Sequence, residues 1–241
     1  MNSILVCIPT YNEIENIESI LARLFSANPD VHALVIDDSS PDGTAEVVQS
    51  LQSSNENLHL LKNPTKSGLG GAYRAGFSWA LARDFEYVIE MDADGSHQPE
   101  QLPSLISKIS SSDVVIGSRW TKGGSVVNWP LSRKILSLGG NFYVRTVLGI
   151  KVKDATAGYR IYSKKALQEL NLVESQSQGY IFQVDGTYRA IKHNLKVTEV
   201  PIEFVERSLG QSKMSTRIVL EAITQVTIWA FKHRVLRQKI R

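Results

Sequence analysis

Residues 3–8 read SILVCI, an unbroken apolar run of strand length. A strand with one wet face alternates apolar and polar residues, so a run that stays apolar after Ser3 is buried on both faces. Further strand-length, mainly apolar segments stand at 31–36, 58–61, 87–91 and 114–117. Segments of helical character lie between them. Residues 12–25 place Ile14, Ile17, Leu21 and Leu24 on one side, 41–51 have Ser40 as cap and Pro41 at the first position, and 71–82 and 99–109 follow. Strand alternating with helix requires crossover connections, and crossovers build a parallel sheet covered on both sides. The expected fold is α/β, a doubly wound, mainly parallel, Rossmann-like sheet.

In such sheets ligands bind beyond the carboxyl ends of the strands. The first run is followed by Pro9-Thr10-Tyr11-Asn12-Glu13 and the second by Asp37-Asp38-Ser39-Ser40-Pro41-Asp42-Gly43. The fourth is followed by Asp92-Ala93-Asp94 and the fifth by Ser118-Arg119. Three acidic turns and one arginine should therefore meet at one rim. Bunched carboxylates repel unless a cation sits among them. A divalent ion held by one or two carboxylates, with phosphate oxygens filling its shell, meets that demand. Asp92 and Asp94 are the expected platform for a metal and a diphosphate. His97 reads as a solvent-exposed loop histidine rather than a further ligand. The segment Lys66-Ser67-Gly68-Leu69-Gly70-Gly71 fits neither dinucleotide-binding nor P-loop spacing. Its glycines are expected to let the third helix begin close to a nucleotide.

The formal net charge of +3 hides an asymmetry. Residues 1–120 hold 7 Lys/Arg and 16 Asp/Glu, and residues 121–241 hold 20 and 8, so the halves carry −9 and +12. The first half suits a cation, the second anions or an anionic surface. No nucleic-acid recognition motif accompanies the basic half, so a nucleic-acid partner is not expected. Cys7 is the only cysteine, which excludes an internal disulfide and fits a reducing, cytoplasmic setting. No signal peptide is expected at the start. No stretch of about 18 apolar residues is present to span a membrane. Even residues 219–231 are interrupted by Glu221, Thr224, Gln225 and Thr227.

The four rim motifs, Pro9 to Glu13, Ile36 to Thr44, Met91 to Asp94 and Gly117 to Arg119, resemble those of family-2, GT-A-type glycosyltransferases. Three further motifs are narrower: Asp154-Ala155-Thr156-Ala157-Gly158-Tyr159-Arg160, Gly179-Tyr180-Ile181-Phe182-Gln183, and Val200 to Arg207 with Ser212-Lys213. Together they resemble the dolichyl-phosphate (polyprenyl-phosphate) mannose synthase branch, over about residues 4–215. The chain looks like the short form without added transmembrane domains. The resemblance implies a GT-A fold and transfer of mannose from GDP-mannose to a polyprenyl or dolichyl monophosphate. It implies that Pro9, Tyr11, Glu13, Ile36 and Asp38 line the nucleotide pocket. Asp92, Ala93 and Asp94 would hold the diphosphate and the ion, Mg2+ or Mn2+. Arg119, Arg207 and Lys213 would meet phosphates of donor or acceptor. The sequence departs from the family pattern at Gly95 and Ser96, where a bulky apolar residue and a glutamine are frequent, so water is expected to complete the metal shell there.

The chemistry implied is coherent. A divalent ion on the diphosphate stabilises the leaving charge as a Lewis acid. Hydroxyl acceptors need a general base, but a lipid monophosphate is already an anion. It needs positioning and charge cancellation instead. Arg207 can grip phosphate with two parallel bonds, and Lys213 serves as a point charge. Gly210 between them suits a loop that closes over the donor. In-line attack would invert the anomeric carbon and give a β-linked product. Asp185 either orients an active-site cation or favours a helix N-terminus. Arg160 either binds acceptor phosphate or, the favoured reading, pairs with Asp154. Tyr159 and Phe182 read as core.

Residues 215–236 have helical spacing, with Ile218, Ala222, Ile223, Val226 and Trp229 on one side. Residues 231–241 (FKHRVLRQKIR) hold five Lys/Arg and no acid. Such a helix is expected to pack through its body and touch lipid through its basic end. The expected organisation is one catalytic domain over 1–215 and a membrane-proximal basic amphipathic helix over 216–241. Attachment would be peripheral, on the cytoplasmic face of a membrane, and a small membrane-anchoring protein is an optional partner. A helix over 130–148, with Trp129, Leu131, Ile135, Leu136 and Leu138, is a second candidate for lipid contact. Two alternatives stay open: a sibling transferase using UDP-glucose or another nucleotide sugar, and a non-catalytic nucleotide- or membrane-binding module on the same fold.

Overall fold

A computed structural model describes residues 3–206 and 216–236. Strand β1 (Ile4–Thr10), helix α1 (Ile17–Ala27), β2 (His32–Asp37), α2 (Thr44–Gln52), β3 (Leu58–Lys62), α3 (Gly68–Leu81) and β4 (Tyr87–Glu90) form the first half. They are followed by α4 (Leu102–Ile106), β5 (Val114–Ser118), β6 (Ser125–Val127), α5 (Leu131–Leu148) and β7 (Arg160–Ser163). The last elements are α6 (Lys164–Leu170), α7 (Gly179–Lys192), β8 (Val197–Pro201), β9 (Glu203–Val205) and α8 (Thr216–Ala230).

Seven strands pair in the order β3-β2-β1-β4-β7-β5-β8, and β6 pairs with β9 in a separate ribbon. Every pairing in the large sheet is parallel except the two made by β7. The apolar runs have the consequence that period two requires. Leu5, Cys7, Leu34, Ile36, Val88, Val114 and Ile116 enter the core under α3, α6 and α7. Their neighbours Val6, Ile8, Ala33, Val35, Ile89 and Val115 enter the core under α1, α2 and α4. Both faces of the inner strands β2 and β5 are covered, while the edge strands β3 and β8 keep partly exposed positions.

From β1 the chain winds outward through β2 and β3, then returns to place β4 on the other side of β1. The strand order reverses there, and the loops after β1 and β4 part to leave a crevice. Antiparallel β7 sits between β4 and β5, and Arg160 is in register with both Glu90 and Ile116. The segment before β7 is thus delivered to the same rim.

Several boundaries differ from the sequence reading for identifiable reasons. Helix α1 begins at Ile17, not residue 12. The backbone N–H groups of Asn12, Glu13 and Ile14 donate instead to Ser40 Oγ, Thr44 Oγ1 and Asp42 Oδ2, each at 3.1 Å. Helix α2 begins at Thr44 rather than Pro41. Gly43 stands before it with φ +93°, and Asp42 Oδ1 accepts the Thr44 N–H. The helix expected over 99–109 is a 3-10 turn, the short α4 and another 3-10 turn. Pro103 has no N–H to give to Pro99, so one continuous helix is not available. Helix α3 starts at Gly68, three residues earlier than expected. Strands β6 to β9 go beyond the five read from the sequence.

A third core joins Val144 and Leu148 of α5, Ile181, Val184 and Tyr188 of α7, and Val226 of α8. The body of α8 therefore packs on the domain, as expected, and Trp229 stacks on Tyr188. The opposite sides are bare: Leu131, Ile135 and Phe142 of α5 and Leu220 of α8 are exposed, as is Phe231 just beyond it. No helix among the described residues is long and apolar enough to cross a membrane.

Candidate active site

The rim assembles as the strand ends predict, but its carboxylates divide the work. Asp37 ties strand to strand: it accepts Thr10 Oγ1 at 3.0 Å and Ser40 Oγ at 2.6 Å. Asp38 grips the loop before α3. Its oxygens accept Asn63 Nδ2, the Ser67 N–H and hydroxyl, and the Gly68 N–H, at 2.7 to 2.9 Å. Burial alone would raise the Asp38 carboxyl, but these hydrogen bonds outweigh it and hold the group below the usual carboxylate range. Ile36 is fully buried beneath, Pro9 is half-exposed near the end of β1, and Tyr11 and Glu13 stand half-exposed on the loop after it. The Lys66 ammonium lies on the Tyr11 ring, 3.3 Å from its centroid.

The loop after β4 carries Asp92, Ala93 and Asp94. Tyr73 donates to Asp92 Oδ1 at 3.4 Å, and the Ser96 N–H donates to Asp94 Oδ1 at 3.0 Å. Ala93 is buried and anchors the turn in the core. Ser96 Oγ is buried without a hydrogen-bond partner among the described residues. His97 corrects the sequence reading. It is not a solvent histidine but only 1% exposed, stacked on Tyr159 at 4.9 Å with Phe204 at its edge. Its Nδ1 accepts the Asp92 N–H at 3.0 Å, and burial pushes its pKa down, so it braces the turn as a neutral ring. Glu90, two residues before Asp92, is wholly buried, and burial pushes its carboxyl up to about 8 against the pull of Arg160.

Arg119 is fixed from one side by Asp154: Nε and Nη2 donate to its two oxygens at 2.7 and 2.6 Å. Burial works against ionising Asp154, but Arg119 outweighs it and keeps the carboxyl below its ordinary range. Glu199 in turn accepts the N–H groups of Lys153 and Asp154. Trp129 and Phe204 face the guanidinium at 5.5 and 5.4 Å. Arg160 is not Asp154's hydrogen-bonded partner. Fully buried, it donates to the carbonyls of Ala155 and Ala157 and to Thr187, and so shapes the loop that ends at Tyr159. Tyr159 and Phe182 are core residues, as expected. Asp185 pairs with Arg189 at 2.9 Å and accepts Ser175 and Ser177, which gives it a bracing role on α7. Arg207 and Lys213 lie outside the described residues.

The α3 glycines answer to protein neighbours. A Cβ on Gly70 would stand 2.7 Å from the Ser177 carbonyl, and one on Gly71 would meet Ser67. A cleft of about 270 Å³ opens beside Asp94, lined by Asn16, Arg23, Gln98 and Glu206 among others. Sequence reasoning missed Lys66 as a neighbour of Tyr11 and Glu206 as the partner of Arg133, 2.8 Å away. Neither pair has a local signal, because its members are far apart in the chain.

Among the described residues, no three His, Cys, Asp or Glu side chains converge on one point. The donor set still fits a divalent ion. Asp92 and Asp94 are hard oxygen ligands on one braced turn, which suits a cation that completes its shell with phosphate and water.

The model of glycosyl transferase family 2 matches residues 5–170. The chain belongs to this family. This family-2 transferase is 50% identical over 231 residues to an undecaprenyl-phosphate mannosyltransferase of Micrococcus luteus, covering 96% of the chain and 95% of that protein. It is 46% identical over 237 residues to a polyprenol monophosphomannose synthase of Mycolicibacterium smegmatis, covering 98% and 89%. Among solved structures, the mannosyltransferase PcManGT of Pyrobaculum calidifontis, in complex with GDP-Man and Mn2+, superposes with a TM-score of 0.63 at 16% identity. The family-2 chain is covered over 98% and spans 65% of that protein's length. A glucosyl-3-phosphoglycerate synthase of Mycobacterium tuberculosis gives a TM-score of 0.61 at 19% identity, covering 97% of this chain and 80% of that one. These likenesses establish the GT-A-like fold.

Proposed function

We propose that this family-2 transferase moves mannose from GDP-mannose to a polyprenyl monophosphate, with inversion to a β-linked product. What carries the reading is one coincidence. Two relatives that match nearly the whole chain are named for mannosyl transfer to, or synthesis on, polyprenyl phosphates. The same chain places a braced Asp92-Ala93-Asp94 turn at the reversal point of its sheet.

Pro9, Tyr11, Glu13, Ile36 and Asp38 form the wall for the nucleotide. Asp92 and Asp94 are the residues to hold Mg2+ or Mn2+. When bound, such an ion supplies Lewis-acid stabilisation to the departing diphosphate. Ala93, packed in the core, keeps the two carboxylates at a fixed spacing. Arg119, held rigid by Asp154, presents positive potential to the phosphates, and Arg207 and Lys213 add charge there. The acceptor is an anion already, so no side chain is assigned as general base, in keeping with the buried, neutral state of His97. The catalytic unit is residues 1–215. The bare apolar sides of α5 and α8, with the basic residues around them, approach the cytoplasmic face of a membrane where the lipid acceptor resides. A small membrane-anchoring protein is a candidate second partner for this surface.

The test is incubation with GDP-mannose, Mg2+ or Mn2+ and a short polyprenyl phosphate, scored for mannolipid. Product from GDP-mannose supports the proposal. Product from UDP-glucose alone assigns the chain to a sibling activity, and nucleotide binding without sugar release assigns it to a binding module.

A further inference from the structure

Lys66 is the one member of the Lys66-Ser67-Gly68-Leu69-Gly70-Gly71 segment without a packing role. Its neighbours are used in the fold: Ser67 and Gly68 bind Asp38, and Gly70 and Gly71 accommodate the backbone of residue 177 and the side chain of residue 67. The loop that carries Lys66 is held at both ends. The Asn63 N–H donates to the Asp37 carbonyl at 2.8 Å, Ser39 Oγ donates to the Asn63 carbonyl, and Asp38 closes the other end. The loop that carries Tyr11 is held by the bonds from Asn12, Glu13 and Ile14 to the β2–α2 connection. Two braced loops, one beyond β3 and one beyond β1, thus face each other across the end of β2. Their side chains meet where the Lys66 ammonium lies 3.3 Å from the Tyr11 ring centroid.

A cation on an aromatic face and a base stacked on that face exclude each other. An exposed contact of this kind is weak, so an incoming base can displace it. The displaced ammonium stays tethered to its braced loop, beside the edge of a base stacked on Tyr11. An ammonium donates and never accepts. It therefore favours an edge of two acceptors, O6 and N7 of guanine, over the adenine edge, where a 6-amino donor stands beside N7.

We propose that Lys66 is the residue that selects a 6-oxopurine nucleotide: it holds the Tyr11 face in the free protein and moves to the base edge when the donor binds. This rests on the nucleotide-sugar reading above and adds to it the basis of base choice.

The test is calorimetric titration of GDP and of ADP, each with Mn2+, into the full-length protein and into Lys66→Met and Lys66→Arg variants. Lys66→Met keeps the apolar stem and removes the charge at an exposed position, so the fold is retained. The expected wild-type preference for GDP over ADP is about 10-fold or more, reduced to about unity in Lys66→Met and largely kept in Lys66→Arg. An unchanged GDP/ADP ratio in Lys66→Met overturns the inference, and so does equal weakening of both nucleotides, which would put Lys66 on the diphosphate. If wild-type protein makes mannolipid while the ratio is unchanged, only the Lys66 inference falls. If wild-type protein binds neither nucleotide, the nucleotide-sugar reading falls with it.

Discussion

Arg119 and Asp154 stand 35 residues apart in sequence and close on each other through two bonds of 2.7 and 2.6 Å, with the carboxylate wholly out of solvent. The pair joins the end of β5 to the loop before β7. It also leaves the guanidinium against Trp129 and Phe204. Removing one member of such a pair strands the other charge in a poorly polarisable place. Asp154→Ala is expected to lower the unfolding free energy by about 3–5 kcal/mol. Urea unfolding followed by circular dichroism measures it; a loss below about 1 kcal/mol would show that the pair is not a strut.

Asp94 sits on the turn that the proposed function places under the diphosphate. Its replacement should affect rate far more than fold, since the group is only partly buried. Asp94→Ala is expected to reduce mannolipid formation at least about 100-fold, by analogy with the loss of a preorganised charge-stabilising group. The unfolding midpoint should hardly move. A near-normal rate would remove Asp94 from the metal and diphosphate assignment.

His32 and His59 stack with ring nitrogens 3.2 Å apart at the start of β2 and β3. Burial, then the charges of His32 and Arg83, push the His59 pKa below its ordinary value. A lowered folded-state value means that the unfolded chain binds the extra proton more readily. Stability from this group is therefore full above the unfolded histidine pKa of about 6.5 and declines as the pH falls through it. Thermal midpoints measured from pH 8 to pH 5 should show the decline, and His59→Gln should flatten it. A profile identical in the variant would show that another group is responsible.

Phe142 and Ile135 project from α5 with 69% and 61% of their surface exposed. Burying side chains of this size in an interface is worth about 1.5–3 kcal/mol each. Replacing both by serine should weaken sedimentation with anionic phospholipid vesicles by about 100-fold. Folding should be unaffected, because neither belongs to the packed side of the helix. Retained vesicle binding would mean that lipid contact is made elsewhere.

Most of the sheet was legible because its signal is local. Runs such as those of β1, β2, β4 and β5 can be buried only on both faces, and the order of their acidic turns follows from chain direction alone. The loop after β1 has helical apolar spacing and yet is not a helix. Side chains of Ser40, Asp42 and Thr44 capture its N–H groups, and they come from the β2–α2 connection and the start of α2. His97 reads as exposed because its neighbours in sequence are polar, whereas Tyr159 and Phe204 bury it from far along the chain.

By itself the amino-acid sequence determined the α/β class, the rim at the carboxyl ends of the strands, and the carboxylates that stand there. Period and chain direction are properties of consecutive residues. Only the tertiary structure decided which charged groups do which work. Asp38 became a clamp for α3, Asp154 the anchor of Arg119, and Asp92 and Asp94 the turn braced by a buried histidine. The physical reason is that a side chain's role depends on the donors and charges brought to it from other strands. Those distances arise only when the sheet closes.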